Sequence, residues 1–141
     1  MRYCWMIICL IFLGCDSDDG GNRNPFLVNI SFQVQLNTDL PQFSSLNFPQ
    51  NAVIVPNAGL RGAVVYNMGN DQYVAWEMSD PNHSPNDCSR MNLDGTQLTC
   101  PCTTDENSYD IILGLPLTGG GEFGLKRYRL SRSGNIITVS N

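Results

Sequence analysis

The chain has 141 residues, which is enough for one domain with its own hydrophobic core and too short for two. Its formal net charge at pH 7 is −5, so it offers no broad basic surface to phosphate backbones, and we expect no nucleic-acid partner. Charged residues make up only 15% of the chain, a composition that favours strands joined by polar turns over a charged helical protein.

The N-terminal residues have the pattern of an export signal. Arg2 supplies a positive charge, and an apolar run follows from Trp5 to Leu13. This run is about ten residues long, which suits a signal-peptide core and falls well short of the roughly 20 residues that a membrane-spanning helix needs. Small Gly14 and then Cys15 end the run, and acidic residues follow at once. We therefore predict a signal peptide over residues 1–14.

The end of this segment, Phe12-Leu13-Gly14-Cys15, resembles a lipobox, although Phe12 stands where the common motif has Leu. In lipoproteins the cysteine becomes the new N-terminus and carries the lipid. The resemblance implies a chain anchored in the cell envelope through Cys15, at the periplasmic face of the outer membrane or on the cell surface. The acidic run at 16–19 resembles the export tether of Bacteroidota lipoproteins. The alternatives are an ordinary signal peptide or an uncleaved anchor.

The remaining chain divides into a tether and a domain. Residues 16–25 are mostly Asp, Asn, Gly and Ser, with nothing strongly apolar, which predicts that 15–25 is a flexible, lipid-anchored tether. Apolar residues then alternate with polar or smaller ones from Phe26 to Leu36, which predicts a strand and places the start of the domain, 26–141, at Phe26.

Short strand patterns recur along the domain, and no stretch shows helical periodicity. Asp94-Gly95 is a strong hairpin turn because both residues tolerate positive φ. We therefore predict an all-β domain, an antiparallel sandwich or small barrel. The further predicted strands are 52–55, 62–67, 73–77, 91–93, 97–100, 108–111, 128–130 and 136–139.

Half of the six cysteines lie in the first fifteen residues, which leaves Cys88, Cys100 and Cys102 in the domain. Outside the cytoplasm such thiols tend to pair, so three cysteines predict one disulfide and one free thiol. A bond between Cys100 and Cys102, across one residue, would strain disulfide geometry. Cys88 is thus expected to pair with one of the other two, and the residues alone do not say which.

The only histidine, His83, lies in a proline-rich loop, and Cys100-Pro101-Cys102-Thr103 begins seventeen positions later. These two segments resemble the two loops of a Rieske iron–sulfur domain, which carry Cys-x-His and Cys-Pro-x-His. Ser108-Tyr109-Asp110, the glycines at 119–121 and the segment 133–139 resemble further parts of that family. The likeness extends from residue 52 to the C-terminus. It implies a Rieske-type β fold and a [2Fe–2S] cluster held by two cysteines and two histidines.

Transferred residue by residue, the resemblance makes His83 the first-loop histidine and Cys100 the second-loop cysteine. It also implies that Cys88 and Cys102 form the disulfide that clamps the two loops in many members of the family.

Two positions depart from the family pattern. Asp80 stands where the first-loop cysteine is expected (Pro81 if the tighter spacing is kept), and Thr103 stands where the second-loop histidine is expected. Threonine is a poor ligand and a carboxylate is a hard one, so we expect no bound cofactor. The alternative that the family implies is a [2Fe–2S] cluster on Asp80, His83, Cys100 and Thr103.

Other site chemistries have less support in the sequence. Zinc on His83 with Cys100, Cys102 or Cys88 lacks the paired cysteine spacing of structural zinc sites. The acidic side chains of the loops have no regular ligand spacing, and we interpret them as solvated charges. They are Asp80, Asp87, Asp105 and Glu106.

The sequence contains no nucleophile elbow and no phosphate-binding loop, so we predict no catalytic residues and no enzyme activity. We expect a lipid-anchored, non-catalytic binding or structural module, anchored in the membrane through Cys15. It would present segments 80–88 and 100–104 to an envelope partner. The alternatives are an electron carrier with altered cluster ligands, related to Rieske ferredoxins, and a zinc-stabilised envelope domain.

Overall fold

The computed structural model describes residues 24–119 and 121–141. The predicted signal peptide, Cys15 and most of the predicted tether lie outside these residues. Within the described ranges, no helix is long and apolar enough to cross a membrane. The elements are β1 (Gln33–Asn37), a 3₁₀ helix (Ser44–Asn47), β2 (Ala52–Val55), β3 (Ala63–Gly69), β4 (Gln72–Glu77), β5 (Asn92–Asp94), β6 (Gln97–Thr99), β7 (Ser108–Asp110), β8 (Pro116–Thr118), β9 (Arg129–Ser133) and β10 (Ile136–Ser140).

The described strands form three antiparallel sheets, which confirms the predicted all-β, antiparallel class. Their orders are β1-β10-β9, β2-β3-β4 and β5-β6-β7-β8. The turn at Asp94-Gly95 joins β5 to β6, where the sequence predicted a hairpin, and a turn around Gly134 joins β9 to β10. Each of these turns has a glycine at positive φ.

The central sheet β2-β3-β4 is buried on both faces. Because successive side chains of a strand point to opposite faces, β3 directs Val64 and Tyr66 into one hydrophobic cluster and Val65 into another. The first cluster also holds Trp76, and it joins the central sheet to β6 and β7. The second joins the central sheet to β1 and β10. The candidate functional loops therefore begin from strands that the first cluster holds in place.

The predicted strand over 26–36 is wrong for its first half, because only Gln33–Asn37 pairs as a strand. β10 supplies the partner, and its pairing with β1 runs from Gln33 opposite Ser140 to Asn37 opposite Ile136. No strand of the described chain extends this ladder toward Phe26. Val28 is accordingly 61% exposed although it belongs to the alternating pattern.

Two short elements have no counterpart in the sequence prediction. A 3₁₀ helix at Ser44–Asn47 lies between the predicted strands 26–36 and 52–55, and it buries Leu46. β8 pairs with β7 at the edge of its sheet, and all three of its residues are exposed. A three-residue edge strand that begins with proline shows no alternation and no buried residue, so its sequence carries no strand signal.

Candidate functional site

Two loops form the candidate site. The first, residues 78–91, joins β4 to β5, and the second, residues 100–107, joins β6 to β7. Main-chain hydrogen bonds close the base of the first loop: the Asp80 N–H donates to the Ser89 carbonyl at 2.9 Å, and the Met91 N–H donates to the Met78 carbonyl at 2.8 Å. The Cys100 N–H donates to the carbonyl of Asn107 at 2.9 Å and closes the second loop in the same way.

The first loop is irregular because its own side chains satisfy its backbone. The Asp80 carboxylate accepts the N–H of Asn82 at 2.8 Å, and the Asn86 side-chain oxygen accepts the N–H of Cys88 at 3.0 Å. Such Asx turns compete with strand pairing, and Pro81 and Pro85 lack the backbone N–H that strand pairing needs. The loop therefore has a defined shape without regular secondary structure.

A disulfide between Cys88 and Cys102 joins the two loops. It is the pairing that the family resemblance implied, and it settles the choice that cysteine spacing alone left open. Within the described part of the chain, Cys100 is the free cysteine, and its side chain is buried.

His83 directs one ring nitrogen at the sulfur atoms of the second loop. Its Nε2 lies 3.4 Å from Sγ of Cys100 and 3.5 Å from Sγ of Cys102. Its Nδ1 lies 2.9 Å from the carbonyl oxygen of Ser84. Since a carbonyl only accepts, Nδ1 carries the hydrogen of the neutral ring, and Nε2 presents its lone pair to the site.

The thiol of Cys100 is held in its protonated form. Burial raises the pKa of Cys100 to about 12, and hydrogen bonds to Asp105 and Asp80 act in the same direction. The thiolate is the nucleophilic form of cysteine, so the raised pKa lowers the nucleophilicity of this thiol at neutral pH.

Asp80 is completely buried, which corrects its interpretation as a solvated loop charge. Its Oδ1 accepts the N–H of Asn82 and, at 2.7 Å, the hydroxyl of Tyr109. Its Oδ2 accepts the side-chain amide of Asn107 at 3.0 Å. Two of the three donors belong to the second loop and β7. The carboxylate therefore ties the first loop to the second, and the cost of burying its charge explains why it is so fully hydrogen-bonded.

Asp105 also departs from the solvated interpretation. Its Oδ2 lies 3.7 Å from Nε2 of His83, and its Oδ1 is buried without a hydrogen-bond partner. Asp87 and Glu106 are exposed, as predicted. Thr103, the proposed fourth ligand of a cluster, is exposed as well.

Two further segments pack against the first loop. The Asn82 side chain donates to the carbonyl of Phe123 at 2.8 Å and accepts the Phe123 N–H at 2.9 Å. A Cβ at Gly121 would lie 2.2 Å from Nδ2 of Asn82, so only glycine allows this approach. The side chain of Asn24, at the end of the predicted tether, donates to the carbonyl of Pro81 at 2.6 Å.

The described residues do not fit a Rieske-type [2Fe–2S] cluster. Such a cluster takes two thiolates on one iron and two imidazoles on the other. The loops provide one free thiol and one imidazole, on Cys100 and His83. These two groups touch each other directly, whereas in a cluster they would bind different irons. Asp80 is committed to its hydrogen bonds, and Thr103 is exposed.

Comparison with known proteins gives structural likeness alone. No protein-family profile and no curated sequence matches the chain. Among solved structures, the chain is similar to a complex of reduced oxygenase and oxidized ferredoxin in carbazole 1,9a-dioxygenase, with 20% identity, a TM-score of 0.49, and coverage of 80% of this chain and 94% of the other. It is also similar to the ferredoxin of carbazole 1,9a-dioxygenase from Nocardioides aromaticivorans IC177, with 14% identity, a TM-score of 0.47, and coverage of 79% and 97%. A third similar structure is the Sphingomonas yanoikuyae B1 ferredoxin, with 17% identity, a TM-score of 0.45, and coverage of 67% and 88%.

The sequence-based site residues fall into two groups in the structure. His83, Cys100 and Asp80 converge with the Cys88–Cys102 disulfide, whereas Thr103 is exposed. Asp105 is the residue that sequence reasoning set aside, and it joins the group through His83. Its position three residues after the second clamp cysteine is the sequence feature that places it at the site.

Proposed function

We propose that the protein is a lipid-anchored, cluster-free Rieske-like module of the cell envelope, whose clamped loops form a rigid binding surface. One observation carries the proposal. Asp80, at the position of the expected first-loop cysteine, is completely buried and accepts hydrogen bonds from both loops. A carboxylate so committed to internal donors serves to hold the loops together and does not serve as an iron ligand.

In this proposal the disulfide, together with the hydrogen bonds of Asp80 and His83 (here called the polar network), joins the two loops in place of a cluster. A Rieske cluster bridges its two loops through four protein ligands. Here the loops are bridged by the Cys88–Cys102 disulfide, by Asp80 with Asn107 and Tyr109, and by the contact of His83 with Cys100. The exposed parts of both loops, 84–87 and 103–104, then form the surface that an envelope partner meets.

The anchor supports a membrane-proximal position for this surface. Asn24 donates a hydrogen bond to Pro81 of the first loop, and it lies nine positions after Cys15. A chain of that length spans about 30 Å at most. If Cys15 carries the lipid, Asn24 and the first loop that it contacts lie within about 30 Å of the membrane surface. A partner within reach of the loops is then an embedded or peripheral membrane protein.

Iron and acid-labile sulfide content tests the cluster-free part of the proposal. The full chain, purified in detergent with its disulfide formed, is analysed before and after anaerobic reconstitution with iron and sulfide. We expect a colourless protein with substoichiometric iron in both samples. Two irons and two sulfides per chain, with visible absorption that bleaches on reduction, would overturn the proposal and favour an electron carrier.

Fatty-acid labelling tests the anchor. Cells that express the full chain are fed an alkyne fatty acid, and the label on the protein is compared with that on a Cys15→Ser variant. We expect label on the unmodified chain and none on the variant. The variant should also leave the membrane fraction, since the anchor is lost with the cysteine. Equal labelling of both chains, or none on either, would contradict lipidation at Cys15.

A further inference from the structure

We propose that His83, Cys100 and Asp105 bind one divalent transition-metal ion of the zinc type while the Cys88–Cys102 disulfide is intact. The inference goes beyond the proposed function, because the loops are already joined without a metal. It also differs from an iron–sulfur site, since a single ion needs only one thiolate and one imidazole.

The donor atoms lie at the spacing of a mononuclear site. The ligand atoms of His83, Cys100, Cys102 and Asp105 all lie within 4.8 Å of one another. Nε2 of His83 is 3.4 Å from Sγ of Cys100 and 3.7 Å from Oδ2 of Asp105. Zinc–ligand bonds of about 2.0–2.3 Å at tetrahedral angles place neighbouring ligand atoms about 3.3–3.8 Å apart. Both separations from His83 match the edge of a tetrahedron around one ion, and the third pair, Cys100 and Asp105, lies within 4.8 Å.

The histidine is already oriented as a metal ligand. Metal-binding histidines donate the hydrogen of their other ring nitrogen to a carboxylate, a water or a backbone carbonyl. In this loop the carbonyl of Ser84 accepts from Nδ1, which leaves the lone pair of Nε2 facing the other two donors. Metal binding would thus require no change of tautomer at His83, and the proton that it releases would be that of the Cys100 thiol.

Asp105 provides the second independent sign of a ligand. Its Oδ1 is buried and has no hydrogen-bond partner. Buried acceptors are nearly always satisfied, and an unsatisfied one in a native fold calls for an explanation such as a bound ion. A cation bound by this carboxylate would neutralise its charge and would offer Oδ1 an interaction that the protein does not supply.

The mixture of one nitrogen, one sulfur and one oxygen donor selects a zinc-type ion over a hard cation such as calcium or magnesium. Cys102 is not counted as a ligand because its sulfur is in the disulfide. The side chains of His83 and Asp105 are 19% and 24% exposed, so solvent can reach the fourth position. Three protein ligands with one open position is the arrangement of a site that exchanges its fourth ligand.

Cobalt(II) is the probe that tests this site, because it replaces zinc and its thiolate bond gives a charge-transfer absorption band. The full chain, purified in detergent with the disulfide intact and treated with a chelator, is titrated with Co²⁺ and then with Zn²⁺. Three variants each remove one donor: His83→Gln, Cys100→Ser and Asp105→Asn. Glu106→Gln is the matched control, since Glu106 is the exposed neighbour of Asp105. Near-ultraviolet circular dichroism checks that each variant folds.

We expect one Co²⁺ per chain, a single-thiolate charge-transfer band, and displacement of cobalt by zinc. Each donor variant should lower the affinity roughly tenfold or more, and Cys100→Ser should also remove the band. Glu106→Gln should bind as the unmodified chain does. No binding by the unmodified chain, or binding that survives the three donor substitutions unchanged, would overturn the proposal. This outcome is independent of the iron and sulfide content that tests the proposed function.

Discussion

Two buried carboxylates lie three residues apart at the end of β4, and they accept hydrogen bonds from different kinds of donor. Glu77 is 1% exposed and Asp80 is 0% exposed. Glu77 accepts the backbone N–H groups of Leu60, Arg61 and Ser79 at 2.7, 2.9 and 2.8 Å, together with the hydroxyl of Tyr128. Its donors are therefore mostly main-chain groups, which almost any residue at those positions would supply.

Asp80 depends instead on particular side chains of the second loop and β7. Asn107 and Tyr109 provide two of its three donors, and both would be lost by substitution. Burial raises the pKa of Tyr109, and the bond to Asp80 acts in the same direction. Glu77 thus fixes the path of the backbone, whereas Asp80 joins the two loops of the site through specific side chains. The expected effects of substitutions separate these two roles.

The largest expected effect follows from Glu77→Ala. The substitution leaves three backbone N–H groups and the hydroxyl of Tyr128 without their acceptor, and each buried orphan costs about 1–3 kcal/mol before water enters. We expect the free energy of unfolding to fall by about 4 kcal/mol, measured by urea denaturation. Glu122→Ala, at an exposed position, is the control. Equal urea midpoints for the two variants would show that Glu77 does not stabilise the fold.

A somewhat smaller loss is expected without the disulfide. Cys88 and Cys102 are 14 positions apart, and closing a loop of that size contributes about 3 kcal/mol by restricting the unfolded chain. We expect a Cys88→Ser, Cys102→Ser double variant to lose about that much stability in urea denaturation. Its loops should also exchange amide hydrogens faster than β3 and β4 do. An unchanged denaturation midpoint would mean that the polar network alone holds the loops.

Asp80→Asn should have a moderate effect that is confined to the site. The substitution keeps the shape of the side chain but replaces one acceptor oxygen by an NH2 donor. One oxygen position can then no longer accept its hydrogen bond, and the bonds that remain become neutral, at a cost of about 2 kcal/mol in stability. We expect the chemical shifts of Asn107 and Tyr109 to change, and those of Leu60 and Arg61 to stay as they are. Shifts spread equally over both groups would contradict the separation of the two carboxylates.

The smallest effect on stability concerns Cys100 and appears at high pH. Burial raises the pKa of this thiol from 9.0 to about 12, so the folded state keeps a proton that the unfolded state releases. Its contribution to stability is therefore complete below about pH 9 and declines as the pH rises toward about 12. Iodoacetamide should label the folded chain slowly at about pH 8 and the urea-unfolded chain readily. Equal labelling rates at that pH would show that the thiol is exposed or ionised.

The sequence was sufficient where the relevant signal is local. Alternation predicted the β class, and the Asp94-Gly95 turn predicted its hairpin. The family resemblance supplied the Cys88–Cys102 pairing, which the spacing of cysteines could not. Before Gln33, where no strand of the described residues pairs with the chain, the same alternation predicted a strand that does not form.

The site itself depends on distant contacts that no local pattern encodes. Asp80 meets its donors Asn107 and Tyr109 across 27 and 29 positions of the chain. Whether a loop aspartate is solvated or buried is decided by which segments fold over it, so composition and spacing could not predict the burial of Asp80. The same holds for Asp105: its sequence position near Cys102 places it in the second loop, but that position does not predict the burial of its Oδ1.

Hydrogen exchange on the iron-free, chelator-treated full chain tests most directly whether the polar network replaces a cluster. The informative amides are those of Asp80, Met91 and Cys100, which close the two loops. We expect these amides to exchange about as slowly as amides of β3 and β4, and anaerobic reconstitution with iron and sulfide to leave their rates unchanged. Rapid exchange in the iron-free chain that slows only after reconstitution would show that the loops depend on a cluster for their order, and the polar network would then not replace it.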